Sequence, residues 1–304
     1  MSQVQAEADR TQSTTSVGGA RRPPLTRFGS WLGVLPFFLF SGMFLIAPAI
    51  VLAYRSLEGP DGTLTLDNYR ALTDANVLAA YGMSIRLSFL TALVGGVFGF
   101  LLAWAVSMGG LGRSTRSGLS TFSGVASNFA GVPLAAAFVF TLGRVGVITS
   151  LFEWMGVDLY DTGFSLYSFW GLALVYLYFQ FPLMVLIILP AIDGLKQDWR
   201  EAAENLGATP RQYWRRVAFP VLLPSILGTM ILLFGNAFGA HATAYALTGG
   251  SLPLATLLIG QQISGDVLNN PGLGYAVAMG MVFIMALCIV IYSVLQRRSE
   301  RWLG

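Results

Sequence analysis

Glu201-Ala202-Ala203-Glu204-Asn205-Leu206-Gly207, then Pro210 and Val217-Ala218-Phe219-Pro220, form a polar island between the fourth and fifth long apolar runs of a 304-residue chain. Its local reading is two short helices around a bend. Asp198 is placed to cap a helix whose third residue is Glu201, and Gly207 to end it in the left-handed conformation. Thr209 precedes Pro210 and stands three residues before Gln212, a capping-box pattern for a second helix that runs towards Val217, with Pro220 at the mouth of the next span. Ala202 and Ala203 leave the backbone open to close approach, and Glu201 and Glu204, three apart, share a face. The expected object is a stiff, charged and exposed hairpin.

Around this island the chain is nearly all membrane. Hydrophobic residues make up 55% and charged residues 11% of the sequence, against roughly 25% charged in an average soluble domain. A helix needs about 20 residues to cross a hydrocarbon core of ~30 Å. Six segments meet that length: 31–54, 84–108, 119–142, 166–192, 219–248 and 272–295. The third is the least regular, because Ser120, Ser123, Ser127 and Asn128 make its first half polar and Gly131-Val132-Pro133 interrupts it. The expected fold is an all-α polytopic membrane protein of six transmembrane helices, with two short helices in the loop 193–220. Residues 31–304 form one transmembrane domain. The polar stretch 1–30 reads as a disordered tail, and not as a signal peptide, because the apolar run that follows is long enough to span.

Lys and Arg set the orientation, since cationic loops resist translocation. Fourteen of the 18 lie in the tail, the short 109–118 loop, the polar island and the carboxyl-terminal end; Arg55, Arg70, Arg86 and Arg144 fall on the other face. Both termini and the island are therefore expected on the cytoplasmic side of a bacterial inner membrane. The outer loops are acidic, with Glu58, Asp61, Asp67 and Asp74 in the first, Glu153, Asp158 and Asp161 in the second, and Asp266 in the third. They read as a solvated rim or as a docking surface for something soluble outside.

Several function classes drop out. A net charge of +3 is what cationic loops give any such protein, so nucleic acid is not an expected partner. One histidine, His241, and one cysteine, Cys288, provide neither a metal cluster nor a Ser-His-Asp arrangement nor an internal disulfide. Gly95-Gly96-x-x-Gly99, Gly228, Gly235 and Gly239 read as close helix packing. No phosphate-binding loop of the form G-x-x-x-x-G-K-[ST] occurs, so any ATP hydrolysis belongs to another subunit.

The island's spacing resembles the EAA loop of binding-protein-dependent ABC importer permeases: EAA, three residues, G, nine residues, I-x-L-P. Here Val217 replaces the Ile and Phe219 the Leu. Pro36, Pro48, Leu66-Asp67-Asn68-Tyr69, Leu142-Gly143 and Gly146-Val147-Ile148 look like the same family. Phe181-Pro182-Leu183-Met184-Val185 and Gly249-Gly250 look most like its polyamine, iron, thiamine and phosphonate branch. The resemblance implies a type I importer permease with no catalytic site and no cofactor of its own. Glu201, Ala202, Ala203, Glu204, Gly207, Pro210, Val217, Phe219 and Pro220 would then dock on an ATPase. The implied partners are two ABC ATPase subunits, a second permease, similar or identical, an extracytoplasmic solute-binding protein and membrane lipid. The implied cargo is a small polar or charged solute of polyamine, phosphonate, thiamine or iron type.

The residues leave other readings open: an ion-coupled secondary transporter or channel, or a membrane enzyme or scaffold. The first would call for ionisable residues deep in a span, and every Asp and Glu falls in a loop or the tail. Polar side chains inside spans often face a cavity or another helix. Asn236 and Thr243, seven apart, share one face of the fifth span; Tyr176 and Gln180, four apart, share one of the fourth, before a kink expected at Pro182. These four are the candidates for lining a translocation path. His241 reads as a helix-to-helix hydrogen-bonding residue.

Overall fold

The computed structural model describes residues 34–59, 61–109, 112–264 and 270–300. The expected tail at 1–30, the start of the first span at Trp31 and Asp266 lie outside them. The chain divides into two units, Met1–Val51 and Leu52–Gly304. Helix α1, Val34–Ser56, contains a π-helical turn at Gly42–Ile46. The remaining helices are α2, Ala75–Met108; α3, Arg113–Asn128; α4, Gly131–Leu142; α5, Val147–Trp154; and α6, Phe169–Asp193. They continue with α7, Gln197–Asn205; α8, Pro210–Phe238; α9, His241–Thr248; α10, Ala255–Ser264; and α11, Pro271–Glu300. Among the described residues there is no strand, only an isolated bridge between Glu58 and Leu64.

The core is built on α2, α6 and α8. Gly95 and Gly99, one turn apart on α2, let α6 come close: a Cβ at Gly95 would lie 2.8 Å from Gln180 Cβ, and one at Gly99 2.6 Å from Met184 Cβ. This is the small-residue packing that holds helices together where lipid removes the hydrophobic drive between them. Near the polar island the three helices enclose Ala92, Ala103, Met184, Ile188, Leu222 and Leu233. Towards the opposite end Leu87, Leu134, Tyr176, Phe179, Ala244 and Leu257 form a second cluster. Phe89 and Phe98 on α2, and Val282, Phe283 and Val290 on α11, remain exposed, as side chains facing acyl chains should be.

Six stretches are long and apolar enough to cross a membrane. Five correspond to the expected spans. By length and composition the third is Gly131–Trp154, yet the chain turns inside it. The Gly146 N–H donates to the Gly143 carbonyl at 2.9 Å, and Thr149 Oγ1 donates to the same carbonyl at 2.8 Å. The start of α3 is fixed at the island end, where Arg116 pairs with Asp193 at the foot of α6 and Ser107 Oγ donates to the same carboxylate at 3.3 Å. The end of α4 is fixed at the opposite end, where Tyr160 OH donates to the Leu142 carbonyl at 2.9 Å. The third crossing is thus α3 plus α4, close to the expected 119–142, broken at Phe129–Ala130 and restarted by Gly131 at φ +73°.

The fifth span departs from its expected form at both ends. It does not run unbroken from 219 to 248: α8 ends at Phe238, and α9 begins after Gly239 and Ala240, whose ψ of 77° is not helical. Glycine is the weakest ordinary helix former, and the Ala240 carbonyl released there accepts from Tyr176 OH at 2.7 Å. At its other end the helix does not begin at Phe219. It runs back through Pro220 and a π-helical turn, Trp214–Ala218, to Pro210. A proline inside an α-helix collides with the carbonyl four residues back; the wider π turn directly before Pro220 opens the ladder where the ring needs room. Helix α6 continues as helix through Pro182 and Pro190.

Candidate functional site

The polar island folds as a hairpin whose two arms are fixed by their caps. Helix α7 starts two residues earlier than the Asp198 cap implied: Lys196 is the N-cap without a side-chain bond, and Asp198 lies in the first turn, where a carboxylate favours the positive end of the helix dipole. At the other end the Gly207 N–H donates to the Glu204 carbonyl and the Ala208 N–H to the Ala203 carbonyl, both at 2.9 Å. That is a Schellman motif, and its left-handed residue is Gly207 at φ +76°. Two residues on, the Thr209 hydroxyl accepts from the Gln212 N–H at 3.3 Å, while Gln212 Oε1 accepts from the Thr209 N–H at 2.8 Å. This capping box, with Pro210 at the first helical position, opens α8.

Side chains on the hairpin are held without being covered. Gln197 Nε2 donates to Glu201 at 2.7 Å, and Arg200 Nε donates to Glu204 at 2.9 Å. Glu201, Ala202, Glu204, Gly207 and Pro210 are exposed, Ala203 is half-buried, and no atom lies within 4 Å of where a Gly207 Cβ would be. Val217 and Pro220 are half-buried and Phe219 is exposed. Tyr213 is buried, and Trp214 meets Trp104 of α2 edge-on with centroids 5.8 Å apart. A cavity of about 680 Å³ separates the hairpin from the ends of α2, α3 and α6, lined among others by Ser107, Arg116, Arg200, Glu204 and Tyr213.

The tie of Arg116 to Ser107 and Asp193 was not legible in sequence. Both charges stand at the ends of apolar runs, but nothing in a separation of 77 residues pairs them.

The four residues expected along a path come together without sharing one helix face. Tyr176 bonds the Ala240 carbonyl. Gln180, fully buried, donates through Nε2 to the Leu233 carbonyl at 2.7 Å, and its Oε1 accepts from Asn236 Nδ2 at 3.5 Å. Thr243 belongs to α9 and not to the helix of Asn236, so the seven-residue spacing does not align them. Its hydroxyl accepts from the Gly131 N–H at 2.8 Å, which ties the break in the third crossing to the break in the fifth. Asn236 alone of the four is exposed. His241 Nδ1 lies 3.0 Å from the Thr256 carbonyl and its ring stacks on Tyr245, linking α9 to the start of α10. In the loop before α6, burial pushes the Tyr160 phenol above its ordinary pKa; it remains a donor to Leu142.

The family model for the inner membrane component of binding-protein-dependent transport systems matches residues 95–304. This chain belongs to that family. A member is the membrane-spanning part of an ABC importer, and ATP is hydrolysed by a separate subunit. The chain is similar to the sulfate transport system permease protein CysT of Synechococcus elongatus, 25% identical over 270 residues that cover 88% of this chain and 92% of that one. It is similar to CysT of Escherichia coli, 28% identical over 183 residues, covering 60% and 62%. A probable sulfate permease of Helicosporidium is 25% identical over 227 residues, covering 72% and 78%. The fold matches that of a bacterial ABC transporter involved in import of the acidic polysaccharide alginate, with TM-score 0.67 at 20% identity, covering 90% of this chain and 96% of the other. It also matches an alginate transporter in complex with a pentasaccharide-bound periplasmic protein, with TM-score 0.70 at 18% identity and coverage of 89% and 94%. These relatives correct the expected polyamine, iron, thiamine and phosphonate branch: the permeases the chain resembles by sequence are named for sulfate.

Proposed function

We propose that this permease passes a sulfate-type tetrahedral oxyanion, received from an extracytoplasmic binding protein, and that its hairpin docks on a separate ATPase at the cytoplasmic face. In this reading both termini and the hairpin are cytoplasmic, two ATPase subunits and a second permease complete the complex, and residues 31–304 act as one transmembrane domain. The observation that carries the coupling is the hairpin itself, closed by a Schellman motif and a capping box and exposed on Glu201, Ala202, Glu204 and Gly207. Similarity to sulfate permeases supports the cargo.

The continuity of α8 supplies a mechanical reason for the hairpin's position. From Pro210 to Phe238 it is one helix of 29 residues, about 44 Å at 1.5 Å per residue. Displacement of its foot by a closing ATPase pair is carried along a rigid rod to the break at Gly239–Ala240, where Tyr176 and the Thr243–Gly131 bond tie it to α6 and α4. Rigid-body rocking of this kind exchanges inward-open and outward-open states. The half-helices α4 and α9 start side by side at that level, and their positive ends favour an anion over a cation.

Proteoliposomes holding the permease with its ATPase and binding protein should take up radiolabelled sulfate on addition of ATP, with competition by other tetrahedral oxyanions and none by spermidine. Uptake of a polyamine without sulfate would sink the cargo assignment and leave the coupling intact. Uptake driven by an ion gradient without ATP would sink the coupling.

A further inference from the structure

At the foot of α8 lies a second, smaller cleft that shares only Phe219 with the residues assigned to docking. Its apolar floor is made by Phe100, Leu101 and Trp104 from the last turns of α2 and by Trp214 and Phe219 from α8, around about 310 Å³. Arg211 and Arg215, one turn apart, stand at its edge. Leu101 is 47%, Trp104 38% and Phe219 45% exposed, so the cleft opens outward from the helix bundle. Arg116 and Arg200 each have a carboxylate partner, whereas Arg211 and Arg215 have neither an ion pair nor a hydrogen bond among the described residues. Two unspent guanidiniums beside an aromatic floor, four residues before α2 ends, match the depth at which tryptophans sit at a membrane–water boundary.

We propose that this cleft holds an anionic phospholipid, its phosphate between Arg211 and Arg215 and its glycerol and first chain carbons against Trp104, Trp214 and Phe219. The planar fork of arginine suits phosphate oxygens, and the long apolar stems let both charges reach the headgroup layer. A free anion would use the guanidiniums but leave the aromatic floor wet. The occupant is a lipid because the two halves of the cleft demand one molecule that is charged at one end and apolar at the other. The site rests on the proposed orientation, which places this end of the bundle in the leaflet that carries anionic lipid. It would make the lipid a bearing for the foot of α8, next to the π turn, where the lever enters the membrane.

The test uses the permease–ATPase complex, titrated with phosphatidylglycerol and with phosphatidylcholine and read by native mass spectrometry. Wild type should retain phosphatidylglycerol in preference to phosphatidylcholine, and a large excess of inorganic phosphate should leave the lipid bound. The Arg211→Gln/Arg215→Gln variant should lose phosphatidylglycerol affinity by roughly 30-fold, roughly fivefold for each arginine, with its ATPase subunits still bound. Arg211→Lys/Arg215→Lys should recover most of the loss, which separates a charge effect from misfolding. A loss below about fivefold, less than one arginine accounts for, overturns the proposal, as does equal retention of the two lipids by wild type or displacement by inorganic phosphate. Loss of the ATPase with lipid affinity unchanged assigns the arginines to the ATPase interface and also overturns it. Gly207→Val tests the docking reading separately, since it should shed the ATPase and keep the lipid.

Discussion

Replacing Gly207 by valine tests the hairpin at the one position where its shape depends on a single residue. Gly207 sits at φ +76°, and open space surrounds the place where a Cβ would stand. The penalty is therefore conformational and not a clash. For an ordinary side chain the left-handed region costs roughly 1–2 kcal/mol, and a β-branched one is worse placed. The strain falls on the Schellman bonds from Gly207 and Ala208 to the Glu204 and Ala203 carbonyls, which close α7 and turn the chain into α8. The ratio of docking-shaped to other hairpin conformers then falls by about 5- to 30-fold, and apparent affinity for the ATPase falls by up to the same factor where docking selects that shape. Residue 207 contributes nothing to the buried core, so the thermal midpoint of the membrane domain should stay unchanged. Affinity is measured with the permease in nanodiscs and purified ATPase, alongside ATP-driven uptake. Gly207→Asn is the internal control, because asparagine enters the left-handed region more readily; it should lie between wild type and Gly207→Val. Wild-type affinity and transport in Gly207→Val, or a loss in Gly207→Asn as large as in valine, would refute the reasoning.

Thr209→Ala removes the cap that opens α8 and should cost about 1 kcal/mol locally; hydrogen exchange should quicken over 209–213 while the core of α6 keeps its protection. Gly99→Leu drives a side chain into Met184 and the Phe181 carbonyl, and overpacking of about 1–3 kcal/mol should lower the thermal midpoint more than the same change at Gly118, whose Cβ position has open space around it. Thr243→Val leaves the part-buried Gly131 N–H without its acceptor, a loss that approaches the roughly 1–3 kcal/mol of a fully buried donor only as an upper bound. It should reduce transport even where the folded protein is recovered, and Thr243→Ser should restore it.

The spans were legible because the bilayer imposes a length and a composition that show directly in sequence, and the hairpin was legible because caps are local. Gly207, Thr209, Pro210 and Gln212 act on backbone groups within four residues of themselves, and all four act as their types and spacing indicated. Asp198 was misplaced by two residues, a difference that leaves its role at the positive end of α7 intact. The breaks were harder. Gly239 looked like one packing glycine among several, and only the Tyr176 hydroxyl, 64 positions from the Ala240 carbonyl it bonds, explains why the chain leaves the helix there and not at Gly235. Likewise Gly131-Val132-Pro133 announced an irregularity in the third span, but its acceptor, Thr243, lies 112 positions on.

Misreading the second arm of the hairpin had a consequence for mechanism. A proline at the head of an apolar run suggested a boundary between coupling helix and span, which would have left a joint between the ATPase contact and the membrane. The π turn at Trp214–Ala218 removes that joint by giving Pro220 room inside a continuous helix. Flexibility is displaced to the far end, where Gly239 and Ala240 interrupt the rod beside the break in the third crossing. On the proposed coupling, a push at Pro210 would therefore be delivered at the end of the bundle away from the hairpin. Tyr176, which holds the Ala240 carbonyl, lies seven residues from the start of α6, about 10 Å along it. A joint at Pro220 would have dissipated the same push close to the hairpin; a rod that ends at Gly239 would apply it where Tyr176 of α6 holds the Ala240 carbonyl and Thr243 of α9 holds the Gly131 N–H of α4, so that the three must move together or part.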